Sequence, residues 1–338
     1  MKNSTALLGA CLLALSCAQA QSSETDEPTG VHFHWTREHY LQLPNEPLDG
    51  GPDAADSSGD SRKGADHPSA LAVRDSGTKA SSSQVMWDMT FHGGNILNHV
   101  TARVVFAGIG WTTPGFVADK ISGIDSFFAG YSGSHYASAS DEYIGANGEV
   151  GFNLTYQGHS IVPSESSVDG TKLSTVTNAV CAEVSAGKFS FDTAGDETVV
   201  VYTQMRRPAN INYCGYHGQV RCSGRLLQYA FIWDLDNDWS CDAGDLPWVN
   251  NHTDGLSNIA NITAHELAEI RTDPATNAWH DTGLQETADK CSFVFAHDSL
   301  TLKNGTKWRL QALWSNKANN AGTGYYTDGG LPACIDGQ

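Results

Sequence analysis

Apolar residues gather in short runs from about Val85 onward, and their spacing switches between two periods. Val100 to Ile109 is rich in β-branched and aromatic residues, which predicts a buried strand. Glu149 to Tyr156 alternates as a half-buried strand does, while Thr198 to Thr203, Leu227 to Leu235 and Lys307 to Trp314 read as further strands. Helical spacing separates them. Thr113-Pro114 offers an N-cap followed by proline at the first helical position, and Phe116, Ile121, Ile124 and Phe128 supply an apolar face. Leu173, Val176, Val180 and Val184 predict a second helix that stops at Gly187. Strands alternating with helices, then a loop-rich tail, predict one large domain over 85–338, long enough for a substantial core.

The pattern fails before that. Between Pro44 and Gln84 the chain is mostly Gly, Asp, Ser, Pro and Ala, too poor in large apolar residues to order itself, so 21–84 reads as an acidic low-complexity segment and disordered linker. Ahead of it Val31-His-Phe-His-Trp35 and Tyr40-Leu-Gln-Leu43 form an aromatic island, either a propeptide that covers a cleft or an arm that packs on the domain. His32, His34 and His39 give it weak metal-binding capacity as well. Residues 1–20 have the regions of a secretory signal: an apolar run from Ala6 to Leu15, then Ala18-Gln-Ala20 as the cleavage site. No later run reaches the ~18 apolar residues of a membrane span, so a soluble secreted chain without a membrane anchor is expected.

Export changes the reading of cysteine. Six of the eight remain after the leader (Cys181, Cys214, Cys222, Cys241, Cys291 and Cys334), which favours disulfide staples, with ~15 pairings open. Zinc held by Cys214 and Cys222, with His217 between them, is the alternative. The net charge of −18 argues against nucleic acid and anionic membranes. Asn153, Asn251, Asn261 and Asn304 head N-glycosylation sequons.

The candidate chemistry lies in Thr263-Ala-His-Glu-Leu-Ala-Glu-Ile-Arg-Thr-Asp-Pro274. Helical geometry puts His265 and Glu269 on one face, one turn apart, with Glu266 about 100° round from His265. Zinc peptidases with an HExxH helix use two histidines at this spacing as ligands and the intervening glutamate as general base. Here Glu269 stands at the second ligand position, and a solvated acidic face is the competing reading. Asp273, His280, Asp281, Glu286 and Asp289 follow; Glu286, seventeen residues beyond Glu269, is the best-spaced third ligand, and Asp289 is next. An oxygen-rich shell of this kind tilts from zinc toward calcium or manganese. Asp234, Asp236 and Asp238 resemble the start of a calcium loop, without its glycine or final glutamate.

Several stretches occur in one order along the chain: Phe91-His-Gly-Gly-Asn-Ile-Leu97, Gly110-Trp111, Tyr213-Cys-Gly-Tyr-His-Gly218, Ala264-His-Glu-Leu-Ala-Glu269, Thr272-Asp-Pro274, Asn277-Ala-Trp279, Asp289-Lys-Cys291 and Leu310-Gln-Ala-Leu-Trp-Ser-Asn316. Together they resemble the blocks of the EXORDIUM-like, or phosphate-induced protein, family. The resemblance implies a secreted, wall-associated protein linked to growth and nutrient signalling, and a zincin-like α+β fold. Carried over by position, it singles out Cys214, His217, His265, Glu266, Glu269, Asp273, Trp279, Asp289 and Cys291. The chain departs from it by the long acidic linker and by His280, where tyrosine is usual.

Two functions follow as expectations. One is an extracellular growth or interaction protein that meets matrix or cell-wall components, its cluster a degenerate metal site that holds a structural ion or only hydrogen bonds. The other is a secreted metal-dependent peptidase, with one zinc or calcium held by His265, Glu269 and Glu286 or Asp289, and with Glu266 as base. Carbohydrate binding through Trp239, Trp248, Tyr325 and Tyr326 is a third reading.

Overall fold

The computed structural model describes residues 29–40, 88–165, 168–188, 190–191, 196–245, 247–327 and 329–338. The expected leader and the expected linker over 44–84 lie outside the described residues. The aromatic island enters the fold. Thr29–Trp35 is strand β1, and with β2 (Val100–Ala107), β3 (Leu154–Val162), β4 (Glu197–Arg206), β5 (Tyr213–Cys222) and β6 (Arg225–Asp234) it builds a six-stranded sheet in the order β1-β5-β6-β4-β2-β3. Strands β6, β4, β2 and β3 run parallel; β5 is antiparallel to β6, and β1 is antiparallel to β5. The fold is therefore α+β with a mixed sheet, the class that the resemblance implies.

Three helices cover the sheet: α1 (Lys120–Tyr131), α2 (Leu173–Ser185) and α3 (Asp254–Thr272). The register fixes which faces they cover. Arg103 of β2 pairs with Glu183 of α2 at 2.8 Å, whereas Tyr202 of β4 bonds Thr263 of α3 at 2.6 Å. Tyr202 aligns with Phe106, of opposite parity to Arg103, so α2 and α3 lie on opposite faces. Following that parity outward, Ile232 and Ala230 of β6, Gly215 and His217 of β5, and His34 and His32 of β1 all face α3. Every residue of β2 is buried, which is why it reads as a continuous apolar run rather than an alternating one.

Several predicted elements are cut differently. The helix expected from Thr113 breaks in two, Pro114–Val117 and α1, because Ala118 takes a φ of 46°. Thr113 makes no side-chain cap bond. Glu149 to Gly151 bonds the loop near Leu97 instead of the sheet, so β3 starts only at Leu154. The run Lys307 to Trp314 yields two short strands, Lys307–Trp308 and Leu313–Trp314. Between them the backbone N–H of Gln311 donates to Asn261 of α3 at 2.8 Å and that of Ala312 to Val294 at 2.7 Å, which takes both out of any ladder.

All six cysteines among the described residues are paired, as Cys181–Cys222, Cys214–Cys241 and Cys291–Cys334. This rules out thiolate zinc at Cys214 and Cys222. Among the described residues no helix is long and apolar enough to cross a membrane.

Candidate metal centre

Helix α3 starts where the Thr253 side chain accepts the Leu256 N–H, and it runs for 19 residues through the interior. Each residue from Gly255 to Thr272 is buried, so the solvated-face reading of Glu266, Glu269 and Arg271 is overturned. Arg271 donates to the Gly151 and Ala137 carbonyls and to the Tyr131 hydroxyl, which ties the end of α3 to the core. Asp273 receives the N–H groups of Asn277 and Ala278 at 2.7 Å each on one oxygen and so anchors the turn. The buried Asn261 accepts from Gln311, so this sequon is closed in the folded chain.

His265 and Glu269 face the β5 side of the sheet, and the chain brings further groups to them from three directions. Nε2 of His265 lies 3.0 Å from Oε1 of Glu269, 3.5 Å from Oδ1 of Asp289 and 3.0 Å from Nδ1 of His34. The other oxygen, Oε2 of Glu269, lies 3.6 Å from Nε2 of His217 and 3.7 Å from Nδ1 of His32. Nε2 of His217 is 3.2 Å from Glu286, and Nε2 of His32 is 3.4 Å from Asp289. Two candidate ligand groups result: His32, His217, Glu269 and Glu286, and beside them His34, His265 and Asp289. Donors bound ~2.1 Å from a tetrahedral ion stand ~3.4 Å apart, and the separations here scatter about that value. The side-chain amide of Gln311, 3.0 Å from Nδ1 of His265, orients that ring.

Glu286 and Asp289 come from the turn after α3. The Asp289 N–H donates to Oε1 of Glu269 at 3.1 Å, the Glu286 N–H donates to Asp289, and Cys291–Cys334 ties the turn to the C-terminal strand. The four residues expected from sequence (His265, Glu269, Glu286 and Asp289) lie beside one another, Glu269 and Glu286 in one of these groups and His265 and Asp289 in the other. Burial opposes charge on His265, yet Glu269 and Asp289 push its pKa up to about 10. Burial drives His217 down to about 3 and His34 well below the usual imidazole range. Glu269 is held well below its usual value, since His265 outweighs the burial that would raise it. Burial raises Glu266 and Glu286 well above theirs.

Glu266 is the outlier. It is completely buried and neither carboxylate oxygen has a hydrogen-bond partner. A Cβ on Gly215 would lie only 3.2 Å from its Oε1, so the carboxylate reaches the sheet at a position of β5 that has no side chain in the way. Among the described residues, Glu269 and Glu286 find only histidines as ion-pair partners. Buried carboxylates need compensating charge. A divalent ion fits this donor set because it would supply that charge where, among the described residues, no lysine or arginine pairs with Glu266, Glu269 or Glu286.

Other expected groups are elsewhere. His280 is buried and stacks on His92 at 3.7 Å, away from the cluster. Asp281 pairs with Lys290. Asp234 and Asp236 share Lys120, and Asp238 takes Arg207, so the suggested calcium loop is neutralised by protein cations instead. His39 bonds Asn212. Trp239, Tyr325 and Tyr326 are exposed, and the Trp248 side chain lies outside the described residues. The groups underweighted from sequence are His217, His32 and His34. Their signal was the period-two spacing of His32 and His34, which sends both rings to one face of a strand. Comparison of the chain with protein-family models, with curated proteins and with solved structures finds no match.

Proposed function

We propose that the chain is an exported metal-dependent hydrolase that cuts extended peptides. The observation that carries the proposal is Glu266: a buried carboxylate without a partner, one residue from a ligand histidine and set against a cluster of imidazoles and carboxylates. His265, Glu269 and His217, with Glu286 or Asp289, would hold the ion, whose Lewis acidity polarises a carbonyl and acidifies a water. Glu266 accepts the proton of that water and returns it to the leaving amine nitrogen. Its burial raises its basicity. The peptide class is supported by β5, which receives a strand in antiparallel register, and by Gly215, which keeps side-chain bulk away from Glu266. Three disulfides and the leader-like residues 1–20 support export.

One observation favours a second reading. With β1 seated, His32 and His34 crowd the same carboxylates, and a closed shell is the mark of a structural ion. The chain would then be a non-catalytic extracellular protein that meets matrix or cell-wall components, as the EXORDIUM-like blocks imply. Glu266→Gln separates the two. Metal content by elemental analysis should stay at the wild-type level. Hydrolysis of a quenched-fluorescent peptide mixture should fall ~10²–10⁴-fold, measured on the intact chain and on chain cut at a protease site inserted between residues 41 and 87. Hydrolysis that is equal in wild type and variant refutes the role of Glu266, and no hydrolysis in any form leaves the structural-ion reading standing.

A further inference from the structure

Strand β1 does more than extend the sheet. Its register sets His32 opposite His217 and His34 opposite Gly215, so both imidazoles enter the carboxylate cluster from the side opposite α3. On the other face Phe33 packs on Tyr213 at 4.7 Å and Tyr216 at 5.3 Å between ring centres. The Thr36 N–H donates to Asn212 at 2.7 Å. The strand is thus held by a ladder and an apolar side chain on one face, and it presents nothing but imidazole on the other.

We propose that His32 and His34 are metal ligands, one in each of the two adjoining donor groups, which makes β1 a metal-locked latch over the edge of β5. The proposal rests on the metal-site reading above. His34 lies 3.0 Å from His265, a separation at which two nitrogens share one proton or one cation; His32 stands within 3.7 Å of both Glu269 and Asp289. Nitrogen donors at these distances from ligand carboxylates are placed as co-ligands are. The 47 residues from 41 to 87 that follow it are chain enough to let it move away from β5, at the cost of uncovering the core against which Val31, Phe33 and Trp35 pack. When β1 leaves, each donor group loses one imidazole and the β5 edge is freed for an extended peptide in the same antiparallel register.

The test uses the mature full chain and zinc alone. Zinc affinity is measured by competition against a chelator for wild type and for His32→Ala/His34→Ala. The double variant should bind at least about 100-fold more weakly. In wild type, amide exchange at residues 31–36 should be slow with zinc and fast in EDTA, a readout that does not depend on how the variant folds. Unchanged affinity in the variant, or equal protection of the strand with and without zinc, overturns the latch. The two proposals fail differently. Wild type that takes up no zinc sinks both. Wild type whose zinc is lost with His32 and His34, but which hydrolyses nothing after the chain is cut, sinks only the hydrolase.

Discussion

Gly215→Ala tests whether the space between β5 and α3 is as tight as the site requires. The added Cβ would lie 2.8 Å from the Phe231 carbonyl oxygen, 2.8 Å from Cγ2 of Ile262 and 3.2 Å from Oε1 of Glu266. The first contact is the costly one: that oxygen belongs to the β6 backbone and cannot retreat without disturbing the β5–β6 ladder. Overpacking of this kind costs ~1–3 kcal/mol. Taking ~2 kcal/mol, a domain of this size loses ~4–8 °C in Tm. The Glu266 carboxylate must also move, and a displacement of about 1 Å in a catalytic group costs on the order of 10²-fold in rate. Zinc content should stay at the wild-type level, since Gly215 carries no donor. Thermal unfolding, elemental analysis and peptide hydrolysis on one preparation give all three values. A variant within ~0.5 kcal/mol of wild type and equally active would refute the claim that a side chain at this position displaces Glu266.

Further outcomes follow from the same geometry. Cys291→Ala/Cys334→Ala opens a loop of 43 residues' separation, which chain entropy values at about 4 kcal/mol in denaturant unfolding. It should also weaken zinc binding by freeing the Glu286–Asp289 turn, whereas Cys181→Ala/Cys222→Ala, of similar separation, should leave zinc affinity unchanged. Zinc at 100 times its Kd should stabilise the wild type by ~2.7 kcal/mol, reversed by EDTA; a Tm insensitive to zinc counts against the site. Burial, then Asp242, Asp236 and Asp245, push Asp254 up to about 6. A carboxyl raised in the folded state costs stability increasingly as pH rises from its unfolded pKa to that value, in full above it, and costs nothing where both states are protonated. Asp254→Asn should therefore stabilise the chain above pH 6 by about 1 kcal/mol, allowing for solvent screening, with the gain gone near about pH 4; an equal gain at both pH values would refute this.

The motif helix was legible in the sequence because Ile259, Thr263, Leu267 and Ile270 repeat at helical spacing and Pro274 marks the stop. What the pattern missed depends on contacts from afar. The α3-facing positions of β5 are Gly215 and His217, small or polar because Glu266 and the cluster occupy that side, so the strand shows no apolar alternation. Lys307 to Trp314 has strong strand propensity, but Asn261 and Val294 claim the backbone of Gln311 and Ala312. The left-handed turn at Ala118 has no glycine to announce it. Lys120 and Arg207 reach Asp234, Asp236 and Asp238 from other elements, which spacing along the chain cannot register.

The choice of metal turns on these late additions. From sequence the shell is one imidazole with two or three carboxylates, a set that suits calcium or manganese better than zinc. The folded chain adds His217 from β5 and His32 and His34 from β1, which makes the donor set as rich in nitrogen as in oxygen and moves the preference back toward zinc. The two contributions differ in permanence. His217 sits mid-strand in β5, between two disulfide-linked cysteines of that strand, and stays with the domain. His32 and His34 belong to the latch. Their departure leaves an ion held by two imidazoles and carboxylates, bound less tightly but with donor positions open, so the same two residues that secure the ion at rest would set when it becomes accessible.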